Sequence, residues 1–78
     1  MSWRPEVQVS GEAGWNSNSL IFATEDEAFS YAFELKSRWT LVKAFRAIEV
    51  DSVENPVNYR WDVRAEKAIR LEGAIFRP

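Results

Sequence analysis

The chain has no cysteine and no histidine among its 78 residues. The first absence excludes a disulfide framework and thiolate zinc sites, and it permits a reducing compartment. The second removes Ser-His-acid triads, Cys-His pairs and the commoner zinc sites. Glycine and proline number three each, too few for a low-complexity or collagen-like chain. No apolar run approaches the roughly 20 residues that span a bilayer, so no membrane segment is expected. Met1-Ser2-Trp3-Arg4-Pro5 carries no apolar stretch of the signal-peptide kind, and the product is expected to stay where it is made.

A composition of 46% hydrophobic and 28% charged residues fits one soluble domain covering residues 1–78, with 1–4 and 73–78 as loose tails. A domain of this size buries only about 60% of its unfolded surface, and its core alone supplies about 3–5 kcal/mol. Four Trp, two Tyr and five Phe are the expected compensation, since each ring can bury about 150–250 Å². Self-association is the other route. Charge is uneven: residues 1–35 hold one basic residue against six acids, and residues 36–78 hold nine against six, giving −5 and +3. The basic second half offers a face for an anionic partner, while the acidic half argues against avid binding of DNA by the whole surface.

Glu6 to Ser10 alternates polar and apolar residues before Gly11 and predicts a first strand. The turn-rich segment 11–19 followed by the apolar run 20–23 predicts a hairpin. Thr24 with Glu27 three residues on forms a capping box, and Glu25, Asp26 and Glu27 complement the positive end of a helix dipole. A helix is therefore expected from Glu25 to about Trp39, with Ala28, Ala32, Leu35 and Trp39 on its buried stripe and Glu34 placed to pair with Arg38. Residues 42–50 read as a strand with Val42, Ala44, Arg46, Ile48 and Val50 on one face. After a loop at 51–56, Val57, Tyr59, Trp61 and Val63 alternate with Asn58, Arg60, Asp62 and Arg64 in the clearest strand pattern of the chain. Residues 65–67 can turn this strand back into 68–72, a segment compatible with either strand or helix. The expected fold is α+β, in the order β-β-α-β-β with a fifth strand optional: a mostly antiparallel sheet and one helix packed on one face.

Catalytic signals are weak. Three consecutive acids at 25–27 point different ways around a helix and already serve as its cap. Asp51 and Glu54 lack the ligand number of a calcium loop, and Gly11 and Gly14 match no nucleotide-binding fingerprint. Neither an enzyme nor a cofactor or metal site is expected. Two surface features stand out instead. Phe29 and Phe33 on one flank of the helix, with Tyr31 on the other, widen its apolar arc to roughly 200° where about 100° would face a core. Either Trp3 with Ile75-Phe76 covers that flank, or Phe29 and Phe33 contact a protein partner or a second copy in a homodimer. The strand face carrying Asn58, Arg60 and Arg64 is a second candidate surface. On that strand Tyr59 and Trp61 are expected beneath the helix, with Arg60 and Arg64 bracketing Asp62 in exposed pairs. A nucleic-acid module using Arg46, Arg60, Arg64, Lys67 and Arg70 is the alternative, although alternation separates these cations from the aromatic platforms such modules use.

The segment Trp15 to Ala28, including Asn18-Ser19-Leu20-Ile21-Phe22-Ala23-Thr24-Glu25-Asp26-Glu27-Ala28, together with Arg38-Trp39 and Pro56-Val57-Asn58-Tyr59-Arg60-Trp61, resembles small proteins of bacteriophage and prophage genomes. Those proteins often have Asn-Gly where this chain has Asn18-Ser19. The resemblance implies a mobile-element origin, the cytoplasm of a bacterial host, and a small module that binds and blocks a host or phage protein. It transfers no catalytic or ligand residues.

Overall fold

A computed structural model describes residues 1–71. Four strands and one helix follow in the order β1 (Ser2–Val9), α1 (Glu25–Arg38), β2 (Val42–Val50), β3 (Tyr59–Asp62) and β4 (Lys67–Arg70). β1 pairs antiparallel with β2, and β3 with β4, as two separate two-stranded sheets. The expected α+β class with antiparallel pairing and one helix across a sheet face is what the chain adopts. The expected tail 73–78, with Ile75 and Phe76, lies outside the described residues.

β1 begins four residues before the point where alternation becomes visible. Residues 2–4 belong to the sheet and are not a loose tail: Ser2 is fully buried, and Trp3 exchanges backbone hydrogen bonds with Phe22 at 2.9 and 2.8 Å. Pro5 masks this in the sequence because proline usually argues against a central strand. Its position removes the objection. Trp3 and Val7 direct their N–H groups to the segment 16–22, where each meets an isolated bridge, at Phe22 and Asn16 respectively. Pro5 occupies the rung between them and has no N–H to give. The second strand expected at 20–23 therefore does not form a ladder. Five residues of β1, 3–7, face seven of the partner segment, 16–22, and the excess loops away, with the Leu20 N–H bonded to Asn18 Oδ1. The turn before this segment closes through Glu12 N–H to Val9 O, with Gly11 at φ 89°, a conformation that favours glycine.

β2 departs from uniform alternation. Gln8 lies opposite Ala44 but Val9 lies opposite Val42, so Lys43 is an extra residue on β2. The bulge shifts the phase of the strand. Val42 and Phe45 both face the helix, packing with Val7, Ala32 and Leu35. Ala44, Arg46, Ile48 and Val50 pair with Gln8, Glu6, Arg4 and Ser2 on the opposite face. The expected single face containing Val42 with Ala44, Ile48 and Val50 is thus split in two.

α1 buries Ala28 and Ala32 completely, and Ala32 packs with Val7 and Val42 of the sheet. Leu35 is half-buried, whereas Trp39, expected on the buried stripe, serves as the C-cap and is exposed. The Arg38 to Glu34 ion pair forms at 2.9 Å. Phe22, completely buried, is the largest side chain of the core and lies 5.9 Å from Tyr31 and 6.5 Å from Tyr59 between ring centroids. On the far side of the sheet Glu6 is buried between Arg4 at 3.1 Å and Arg46 at 2.7 Å, and the Arg46 guanidinium stacks 4.0 Å from the Trp15 ring centroid. No described helix is long and apolar enough to cross a membrane.

Candidate protein-binding surface

The position of the β3–β4 hairpin is set by two side chains distant in sequence. Glu27 begins as a helix-cap residue: its N–H donates to Thr24 Oγ1 at 3.2 Å, and its Oε1 accepts the Thr24 hydroxyl at 3.1 Å. Its other oxygen turns away from the helix and accepts the Trp61 N–H at 3.0 Å. The reciprocal bond to the Thr24 backbone, expected from the capping-box pattern, gives way to an anchor for β3. Asn58 supplies the second tie. Its Oδ1 accepts the Ile21 N–H at 2.7 Å and its Nδ2 donates to Ser19 O at 2.8 Å, while the Asn58 and Tyr59 N–H groups both donate to Ile21 O.

These ties lay Tyr59 and Trp61 against the helix flank marked by Tyr31. Trp61 meets Tyr31 edge-on at 6.4 Å, and Tyr59 approaches Phe22. The hairpin then reverses at 63–66. The Asp62 carboxylate accepts the Arg64 and Ala65 N–H groups at 3.0 and 3.1 Å, and the Glu66 N–H donates to Asp62 O. Glu66 sits at φ 54°. Asp62 thus caps the turn, in place of the exposed pairs with Arg60 and Arg64 expected from the sequence. The segment left open between helix and strand is a strand, β4, with Arg60 opposite Ile69 and Tyr59 opposite Arg70.

Between the hairpin tip and the outward side of α1 lies a groove of about 520 Å³. Phe29 and Phe33 of the helix and Trp61 and Val63 of the hairpin line it together with Ser30, Ser37 and two carboxylates, Glu34 and Glu66. Phe29 is 47% exposed, Phe33 55% and Val63 77%. Both Phe rings rest on Phe45 of β2, with centroids at 5.0 and 5.8 Å, so their orientation is set before any partner arrives. Tyr31, on the other flank, is covered by the hairpin and donor-bonded by Asn18 Nδ2 at 3.0 Å. Among the described residues the hairpin covers the Tyr31 flank of the wide apolar arc, and the Phe29 and Phe33 flank is exposed.

The remaining sequence candidates are dispersed. Asn58 spends its amide on the clamp to residues 19 and 21. Arg46 lies in the other sheet, engaged with Glu6 and Trp15. Arg60 and Lys67 share one face of the hairpin and Arg70 the opposite one, while Arg64 is in the turn. Trp61 and Val63 were not singled out as surface residues, although their shared place in the alternation at 57–63 was the available signal. Among the described residues no group of three acidic side chains is arranged to hold a metal ion. No protein family, curated protein or solved structure matches the chain.

Proposed function

We propose that the chain is a non-enzymatic interaction module of bacteriophage type that acts in the cytoplasm of a bacterial host, binding and blocking a host or phage protein through the Phe29, Phe33, Trp61 and Val63 surface. The observation that supports this reading is the pair of half-exposed Phe rings propped on Phe45 at the edge of the groove. Aromatic residues are the anchors most enriched in protein interfaces, and rings ordered in advance lose little side-chain entropy on binding. Each ring packs on Phe45 and still leaves about half of its surface open to a partner.

The test is site-specific photocrosslinking in bacterial cells. A benzophenone side chain at Phe33 or Val63 is expected to trap the same protein, identified by mass spectrometry. Val53, 86% exposed in the loop after β2, is the control position. The Phe29→Ser/Phe33→Ser variant should remain folded and lose the adduct formed from Val63. Equal trapping from position 53, or an undiminished adduct in the double variant, would overturn the assignment.

A further inference from the structure

The helix flank carrying Phe29 and Phe33 has a symmetry that the groove does not use. Asp26, Phe29, Phe33 and Lys36 are spaced three, four and three residues apart, the spacing of a coiled-coil seam, and fall within an arc of about 80° at 100° per residue. All four are exposed. Neither Asp26 nor Lys36 has an ion-pair partner among the described residues. The pattern reads acid, Phe, Phe, base, and it is its own complement when reversed. Two such helices laid antiparallel about a two-fold axis place Phe29 against Phe33 of the other copy, and with the same offset place Asp26 against Lys36, twice over. A parallel pair would instead set Asp26 against Asp26 and Lys36 against Lys36.

The fold leaves room for this pairing. The Phe flank overhangs β2, whose Phe45 supports both rings, while the opposite flank is closed by the hairpin. β2 pairs only with β1 among the described residues, so its outer edge lies on the open side as well. Isologous contacts require one self-complementary patch, and this stripe supplies it in both shape and charge.

We infer that the occupant of the Phe29 and Phe33 stripe is a second copy of this chain, docked with antiparallel α1 helices and Asp26 to Lys36 ion pairs across the two-fold axis. The inference rests on the reading of this stripe as a protein-binding surface and places a second copy on it until a host or phage protein displaces it. One helix pair of 14 residues presents less than the roughly 800 Å² per partner of a standard stable interface, so association is expected in the micromolar range or weaker.

Sedimentation equilibrium of the purified full chain from about 10 μM to 1 mM, spanning the range expected for a small interface, should show a monomer–dimer equilibrium. Asp26→Lys alone and Lys36→Asp alone should each weaken it about tenfold at low salt, a change of about 1.4 kcal/mol. The doubly reversed chain Asp26→Lys/Lys36→Asp should recover dimerisation, because its reversed charges again face one another. Far-UV circular dichroism monitors helix content in each variant, since both reversals oppose the helix dipole. Orientation is read separately by a short bis-maleimide, made specific by the absence of native cysteine. A mixture of Asp26→Cys and Lys36→Cys chains should crosslink, whereas either alone should not, its two sites lying about 15 Å apart along the helix axis. A chain monomeric throughout, a double reversal that stays as weak as the singles with helix content intact, or crosslinking within the Asp26→Cys chain alone would each overturn the antiparallel dimer. If the chain is monomeric while the benzophenone at Phe33 still traps another protein, self-pairing fails and the surface assignment stands; failure of both experiments removes both.

Discussion

Replacing Asn58 by Ala removes two hydrogen bonds that join the hairpin to the segment before the helix, and the cost follows from what is left behind. Ile21 is 6% exposed, so its N–H loses the Oδ1 acceptor in a place where water has little access. An orphaned buried donor costs about 1–3 kcal/mol. Ser19 is exposed, and its carbonyl, freed from Nδ2, can turn to solvent at a cost of well under about 1 kcal/mol. The expected destabilisation is about 2–3 kcal/mol, which at 4–8 °C per kcal/mol lowers Tm by roughly 10–20 °C. Asn58→Asp keeps an acceptor for Ile21 but sets a carboxylate oxygen against the Ser19 carbonyl, which must turn to solvent, so its cost should lie below that of Asn58→Ala without vanishing. Thermal and urea unfolding followed by circular dichroism measure both variants, and amide exchange at Ile21 should accelerate in Asn58→Ala before exchange in β1 does. A loss below about 0.5 kcal/mol for Asn58→Ala, the range of ordinary surface substitutions, would refute the clamp.

Glu66→Gly relieves a left-handed backbone at φ 54° and should stabilise the hairpin by about 0.5–1 kcal/mol in urea unfolding, after the greater freedom of the unfolded glycine is counted. Glu27→Ala should cost about 1–2 kcal/mol and speed amide exchange at Trp61, whereas a residue confined to helix capping would leave Trp61 unchanged. Arg46→Ala removes two bonds to the buried Glu6 and the stacking on Trp15, and about 2 kcal/mol should be lost in the same unfolding assay. Titration with mixed single- and double-stranded oligonucleotides should give no saturable change in tryptophan fluorescence or oligonucleotide anisotropy; saturable binding that weakens with salt would promote the basic second half to a nucleic-acid interface.

The helix was legible because its information is local. Thr24 and Glu27 mark its start, and Ala28, Ala32 and the Glu34–Arg38 pair all lie within four residues of a partner in the pattern. The alternation at 57–63 likewise placed Tyr59 and Trp61 against the helix. What escaped the sequence depends on partners tens of residues away. Asn58 and Glu27 look like a strand residue and a cap, yet their bonds reach across 37 and 34 positions. Residues 2–5 escaped because Pro5 lies in that stretch, and whether a missing N–H matters depends on which rung it falls on. The Phe29 and Phe33 surface was visible as excess apolar arc. Only the covering of Tyr31 by the hairpin showed which flank that excess belonged to.

The bulge at Lys43 makes β2 a strand written in two reading frames. Its first residue, Val42, shares the helix-facing side with Phe45 because Lys43 drops out of the pairing; unbroken alternation would put Lys43 on that side and Val42 on the other. Substitution at Lys43 therefore changes an exposed side chain and its deletion restores plain alternation with Val42 still opposite Val9, whereas loss of one residue within 46–50 reverses the facing of one end of the strand. Natural variation in this protein should accordingly accept many residues at position 43, and its loss, but very few changes in the length of 46–50, while the loop at 51–56, which carries no parity, is where insertions can accumulate.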